Sequence, residues 1–218
     1  MNPEVHDRVE RERTLSALIW RLDTPRLAAS SAPLGGGIGE RHWVLNAQVE
    51  RGYDRDDPAD HLVELARAAD LGGPGVGLMT AVDVRTHSTA EDSDVRCWAT
   101  VGVEIPAWAA APDAVAFADE DPGVTAGAAR RVGTINLVVD VPVRLSEAAL
   151  VNAVATATEA KTQAMWEAGL AGTGTPTDAV CVVCPSDGPA EPYGGPRSRW
   201  GARVARAVHA AVAEGLVR

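Results

Sequence analysis

The chain has 218 residues, 46% of them apolar, and a formal net charge of -10. That length supports one substantial core, so a single domain over residues 1–218 is expected, and the negative balance excludes a general phosphate-backbone binder, which needs clustered Lys and Arg to displace counterions. No apolar run reaches 18 residues and the N-terminus MNPEVHDRVERERTLSALIW is charged where a signal peptide is greasy, so a cytoplasmic protein without membrane partners is expected.

Taken in order, Thr14 to Leu22 and Arg26 to Ser30 read as two short strands around a turn at Asp23-Thr24-Pro25. The glycine cluster Gly35-Gly36-Gly37-Ile38-Gly39 breaks regular structure. His42 to Glu50 then reads as a strand, with Trp43, Leu45, Ala47 and Val49 alternating on one side. Pro58 starts a helix in which Leu62, Val63, Leu65, Ala66 and Ala69 recur at helical spacing until Gly72-Gly73 stops it. Val76 to Val84 and Val95 to Ile105 are β-branched runs, expected to form a long hairpin across the polar linker RTHSTAEDSD. The stretch from Ala107 to Ala129, rich in Ala, Pro, Gly and acids, reads as the variable segment.

Val132 to Val141 reads as an apolar strand, and Ser146 caps a long helix to about Ala168, closed by Gly169. A strand from Asp178 to Val183 and a helix from about Ser198 to Glu214 complete the chain. The order β-β-β-α-β-β-β-α-β-α, with hairpins early and a strand-helix-strand unit late, predicts an α/β fold of α+β character: a mixed sheet covered by helices.

Several constellations carry chemistry. At 100° per residue, the helix after Ser146 places Asn152, Thr156, Glu159 and Gln163 on one stripe and Leu150, Val154 and Ala157 opposite, with Lys161 among the latter. A Lys on an apolar face must snorkel, pair with a carboxylate, or work as an amine of lowered pKa. The loop SSAPLGGGIG sets Ser30 and Ser31 beside Gly35, Gly36 and Gly37, a backbone able to aim N–H groups at one oxygen, but its spacing fits neither a P-loop nor a dinucleotide fingerprint. In GTGTPTDAV, Thr173, Thr175, Thr177 and Asp178 crowd hydroxyls and a carboxylate into a turn before a strand. Asp83 ends a strand, and Arg197 stands at the start of the last helix, where an anionic or polar group can be held.

The five histidines show no zinc-ligand spacing and no G-x-S-x-G elbow is present, so no metal is expected. Cys181 and Cys184 form a Cys-x-x-Cys, but on a strand residues three apart face opposite sides, which leaves the pair as packing unless the chain bends back at Pro185. With three cysteines in all, reduced thiols are expected.

Three segments, SSAPLGGG with NAQV, then TINLVV leading through LSEAALVNAVATATEAKTQA, and finally GTGTPTDAVCVVCP with YGGPRSRWG, resemble in order the adenosylcobinamide amidohydrolase family. The resemblance spans about Ser30 to His209 and rests most on TATEAKTQA and GTGTPTDAV. It implies hydrolysis of the amide joining the aminopropanol arm to the corrin ring of adenosylcobinamide, giving adenosylcobyric acid for coenzyme B12 synthesis. The stretch from Val101 to Pro112 is less polar than the family leads one to expect.

Amide hydrolysis requires a nucleophile or activated water, oxyanion donors and a proton for the leaving amine. The residues offer Asp178, Glu159 or Asp83 as base. The Gly35, Gly36 and Gly37 amides and Lys161 are the candidate oxyanion donors, and Ser31, Thr175 or Thr177 the nucleophile. Asn46, Gln48 and Asn136 suit the amide-rich rim of a corrinoid, and tryptophans suit its macrocycle. No resident cofactor is called for, since the cobalt comes with the substrate; the corrinoid is the expected partner, and a homodimer stays open. Competing readings are a corrinoid-binding module for transport or storage without turnover, and an α/β domain serving assembly alone.

Overall fold

A computed structural model of the chain describes residues 1–112 and 133–217. It contains β1 (Glu4–Glu10), β2 (Arg13–Ser30), β3 (Gly37–Gln48), α1 (Pro58–Ala68), β4 (Gly75–Thr80), β5 (Ser88–Asp92), β6 (Val95–Gly102), β7 (Thr134–Asp140), α2 (Glu147–Glu167), β8 (Ala179–Pro185) and α3 (Arg199–Val217). The strands form one mixed sheet in the order β4-β3-β2-β8-β7-β6-β5, with β1 added to β2. The expected mixed sheet under helices is therefore what the chain builds.

Strand β2 belongs to two halves of this sheet. Its first part pairs with β1 and β3, and its last five residues, Arg26 to Ser30, pair with both β3 and β8. The ladder to β3 shifts register between Arg21 and Arg26, so Asp23-Thr24-Pro25 is an irregularity inside one strand rather than the expected turn between two. Proline supplies no N–H to a ladder, and the break falls where that loss is tolerated. The bend lets the β1-β2-β3-β4 half fold over the β8-β7-β6-β5 half.

Alternation along each strand then sorts the apolar residues. Leu18, Trp20, Val44, Val76, Trp98, Val138, Cys181 and Val183 meet between the two halves. On the outer side of the second half, Cys97, Leu137, Val139, Val182 and Cys184 pack under α2 and α3. On the outer side of the first half, Ile19, Trp43, Leu45 and Ala47 pack under Leu62 and Ala66 of α1. Each side chain of leucine size withdrawn from water in this way contributes about 1.5–3 kcal/mol.

Helix boundaries follow the expected signals. Pro58 begins α1, Ser146 caps α2 by accepting the Ala149 N–H at 3.1 Å, and Gly169 leaves α2 with φ +76°. Thr156 is the exception on the polar stripe of α2: it is buried and donates to the Gly194 carbonyl at 3.0 Å. The block YGGPRSRWG is a close-packing device, because a Cβ on Gly194 would sit 2.0 Å from the Ala149 carbonyl oxygen, and one on Gly201 would sit 2.0 Å from that of Gly195.

One element had gone unread, and one expected pairing is corrected. The N-terminal segment is a strand, β1, joined to β2 through Arg11 and Glu12, both at positive φ. The run after Gly75 is not the partner of β6: β4 lies parallel to β3 at the sheet edge, and the strand that pairs with β6 is β5, formed from the supposed linker RTHSTAEDSD and turned through Ser93 and Asp94 at positive φ. Most of the segment expected to vary, its residues 113–129, lies outside the described residues, as does Val132, the expected start of the strand that becomes β7.

Candidate active site

Helix α2 faces the sheet with small residues, Ala153, Ala157, Ala160 and Ala164, and this close approach takes Lys161 down with it. Lys161 is 5% exposed, so it does not snorkel. Its Nζ pairs with Asp178 Oδ2, the residue that leads into β8. Of the three fates open to such a lysine, pairing with a carboxylate is the one adopted.

Asp178 is the hub. Oδ1 accepts the Ile135 backbone N–H at 2.8 Å and the Thr175 hydroxyl at 2.5 Å, while Oδ2 accepts Lys161 and the Thr175 backbone N–H at 3.0 Å. Those donors fill both oxygens of the carboxylate, so no lone pair is left over for a water. The turn above is pressed onto the pair: a Cβ on Gly174 would stand 2.4 Å from both Lys161 Nζ and Asp178 Oδ2, so only glycine fits. Thr162 holds this turn from α2, its hydroxyl donating to the Thr173 carbonyl at 2.8 Å. A strap from the end of β6 covers it from outside, Ala107 N–H donating to the Gly174 carbonyl and Thr173 N–H to the Ala107 carbonyl, both at 2.8 Å.

The other candidates lie elsewhere. Thr177 points to the inner face of the sheet, its Oγ1 2.6 Å from Thr134 Oγ1 and 3.2 Å from the Gly133 carbonyl. Deeper on that face, Asn46 donates to Thr100 Oγ1 at 3.0 Å, and Asn136 donates to Asn46 Oδ1 at 2.9 Å and to the Met79 carbonyl at 2.8 Å. Both asparagines are buried, so these amides bind one another across the two sheet halves. Ser31 extends the β2–β8 ladder: its N–H donates to the Val180 carbonyl at 3.0 Å, and its Oγ accepts the Val180 N–H at 3.1 Å. Glu159 lies on the solvent side of α2, and Arg197 is exposed in the turn before α3. Asp83 caps a short 3-10 turn and is gripped by Arg85 at 2.7 Å, a bond that holds its carboxyl below the usual range.

Of the three glycines only Gly35 packs against β4, where a Cβ would lie 2.0 Å from the Gly75 carbonyl oxygen; a Cβ on Gly36 would lie 2.8 Å from the Ala32 carbonyl oxygen, Gly37 has open space around it, and Arg41 donates to the Gly35 carbonyl at 2.9 Å. Beside this loop is a cavity of about 360 Å³ whose lining includes Leu34, Arg41, Trp43, Arg67 and Gly75. Its walls carry no carboxylate, hydroxyl, thiol or imidazole and so no group able to act as nucleophile or base. The chemistry therefore concentrates at Lys161, Asp178 and Thr175.

Thr134 and Thr100 enter these clusters without having been singled out from the sequence. Their parity with Asn136 on β7 and β6 was the available signal. Cys181 and Cys184 take opposite faces of β8, as strand alternation requires. Burial pushes the Cys181 thiol up to about 12. Among the described residues no helix is long and apolar enough to cross a membrane.

The profile of the adenosylcobinamide amidohydrolase family matches residues 2–218. An adenosylcobinamide amidohydrolase of Methanosarcina mazei is 32% identical over 197 residues, covering 86% of this chain and 89% of the relative. One of Halobacterium salinarum is 36% identical over 209 residues, covering 94% of this chain and 87% of the relative. The chain belongs to the adenosylcobinamide amidohydrolase family and is a hydrolase of an amide bond.

Proposed function

We propose that this amidohydrolase cleaves the amide joining the aminopropanol arm to the corrin ring of adenosylcobinamide, releasing aminopropanol and leaving adenosylcobyric acid for re-entry into coenzyme B12 synthesis. The family match across residues 2–218 and the names of both relatives support the substrate. The observation that carries the site is the Thr175 hydroxyl on Asp178 Oδ1 at 2.5 Å, with Lys161 on the other oxygen.

In this reading Thr175 Oγ1 attacks the amide carbonyl carbon, and its proton passes along the existing hydrogen bond to Asp178 Oδ1. That proton then moves to the leaving nitrogen as the C–N bond breaks, so aminopropanol departs as the neutral amine and an ester to Thr175 remains. Water cleaves the ester, returning the hydroxyl and freeing the carboxylic acid. Lys161 keeps the buried carboxylate in place and sets a positive charge beside the developing oxyanion. Glu159, Asp83 and Arg197 take no part in this scheme, and the corrinoid is the only partner it requires. The scheme calls on no resident cofactor, the cobalt being part of the substrate.

The test is to incubate the protein with adenosylcobinamide and follow aminopropanol and adenosylcobyric acid by mass spectrometry. Stoichiometric product formation over many turnovers is expected; tight binding with no product would sink the reading. Adding hydroxylamine should divert part of the product to the hydroxamate if the Thr175 ester forms.

A further inference from the structure

Of the six tryptophans, Trp20, Trp43, Trp98 and Trp200 are buried, whereas Trp108 is 53% and Trp166 72% exposed. An indole left in water forfeits a large apolar gain and is explained either by chance surface composition or by a ligand. The two exposed rings differ in what lies beneath them. Trp166 stands on the solvent side of α2 near its end. Trp108 follows Ala107, whose backbone bonds in both directions to the turn covering the Lys161–Asp178 pair.

That attachment is rigid. Besides the two backbone bonds, Thr173 Oγ1 accepts the Ala109 N–H at 2.9 Å, and a Cβ on Gly172 would stand 2.8 Å from Pro106 Cβ, so strap and turn are in direct contact on both sides of Trp108. Ile105, 52% exposed, adds a second apolar group on the same strap. The low polarity of this strap, which departs from what the family resemblance led one to expect, thus sits at the rim of the candidate active site.

We propose that Trp108, with Ile105 on the same strap, is the platform on which the flat apolar face of the macrocycle rests while the amide-bearing arm reaches inward to Thr175. This rests on the corrinoid reading above. Thr175, Asp178 and Lys161 are nearly enclosed, so only a slender part of a substrate can approach them. A bulky ring must stay outside, and an exposed aromatic surface fixed to the roof of the site is suited to hold it there. Trp108 is in this sense a specificity-determining residue and leaves the bond chemistry to Thr175.

The experiment compares wild type, Trp108→Ala, Trp108→Phe and Trp166→Ala. The Michaelis constant and turnover number are measured with adenosylcobinamide, and the same corrinoid is titrated calorimetrically. Trp108→Ala is expected to raise KM and the dissociation constant about tenfold while kcat stays within about twofold, as for loss of a large aromatic contact. Trp108→Phe should recover most of that loss, and Trp166→Ala should match wild type. Unchanged KM and binding in Trp108→Ala, or a loss in kcat alone, overturns the platform. If wild type binds adenosylcobinamide without hydrolysing it, the functional reading fails, and weakened binding by Trp108→Ala still upholds the platform. If wild type does not bind it at all, both fall.

Discussion

Ile135 and Asn136 are neighbours on β7, yet each belongs to a different buried polar cluster. On the outer face, the Ile135 N–H joins Asp178, Lys161 and Thr175 under α2. On the inner face, Asn136 joins Asn46 and Thr100 between the two sheet halves. The outer cluster is charged, saturates its carboxylate and lies under a turn. The inner cluster is neutral, fastens β3 and β4 to β7, and leaves Asn136 Oδ1 without a partner. Buried charges are costly to place and worse to leave unpaired, whereas a neutral amide network mainly fixes how two surfaces meet. The difference assigns chemistry to the first cluster and assembly of the fold to the second.

The strongest way to break that assignment is Asp178→Asn. Removing the counter-ion of a buried lysine should cost about 3–5 kcal/mol of stability in urea unfolding, with turnover falling at least about a thousandfold as nucleophile and charge lose their anchor. Adding Lys161→Met to Asp178→Asn removes the unpaired charge while keeping an acceptor at position 178, and should restore much of the stability without restoring activity. Recovery of both would show the pair to be structural only.

Next, Thr175→Ala should lower turnover by about 10² to 10⁴ while costing roughly 1 kcal/mol of stability, and Thr175→Ser should keep a measurable rate. Equal rates for the alanine and wild-type proteins would leave water as the nucleophile. Asn136→Ala should reverse the pattern, with about 1–3 kcal/mol lost in unfolding and kcat within a few-fold of wild type. A dead enzyme of unchanged stability there would move the inner cluster into the active site.

Smaller effects complete the series. With Cys181 pushed up to about 12 by burial, a thiol reagent at pH 8 meets a thiolate fraction of about one in 10⁴, so labelling of Cys181 in native protein should await denaturation. Glu159→Gln and Arg197→Gln, both on exposed side chains, should change stability by less than about 0.5 kcal/mol and leave turnover as it is.

The candidate site was half legible in the residues. Lys161 on an apolar helix face and Asp178 after a run of threonines each stood out locally, but 17 positions separate them and no pattern pairs them. Glu159 and Asp83 looked equally suitable as bases until burial divided them: the one is solvated and the other is held by Arg85. In the fold, β1 and β5 escaped notice for a specific reason. Their hairpins turn through Arg11-Glu12 and Ser93-Asp94 at positive φ, without the Asn-Gly or Asp-Gly that marks such turns.

By itself the sequence determined what local physics controls. Period-2 alternation set the outward row of Trp43, Leu45 and Ala47 and the opposite faces of Cys181 and Cys184, while Ser146 and Gly169 fixed the ends of α2. These outcomes depend on a residue and its near neighbours. Tertiary structure alone decided that β4 pairs with β3, that β2 bends to serve both halves, and that Lys161 meets Asp178. Those choices come from burying distant surfaces together and from the cost of leaving a charge unpaired, energies that exist only once the chain has closed on itself.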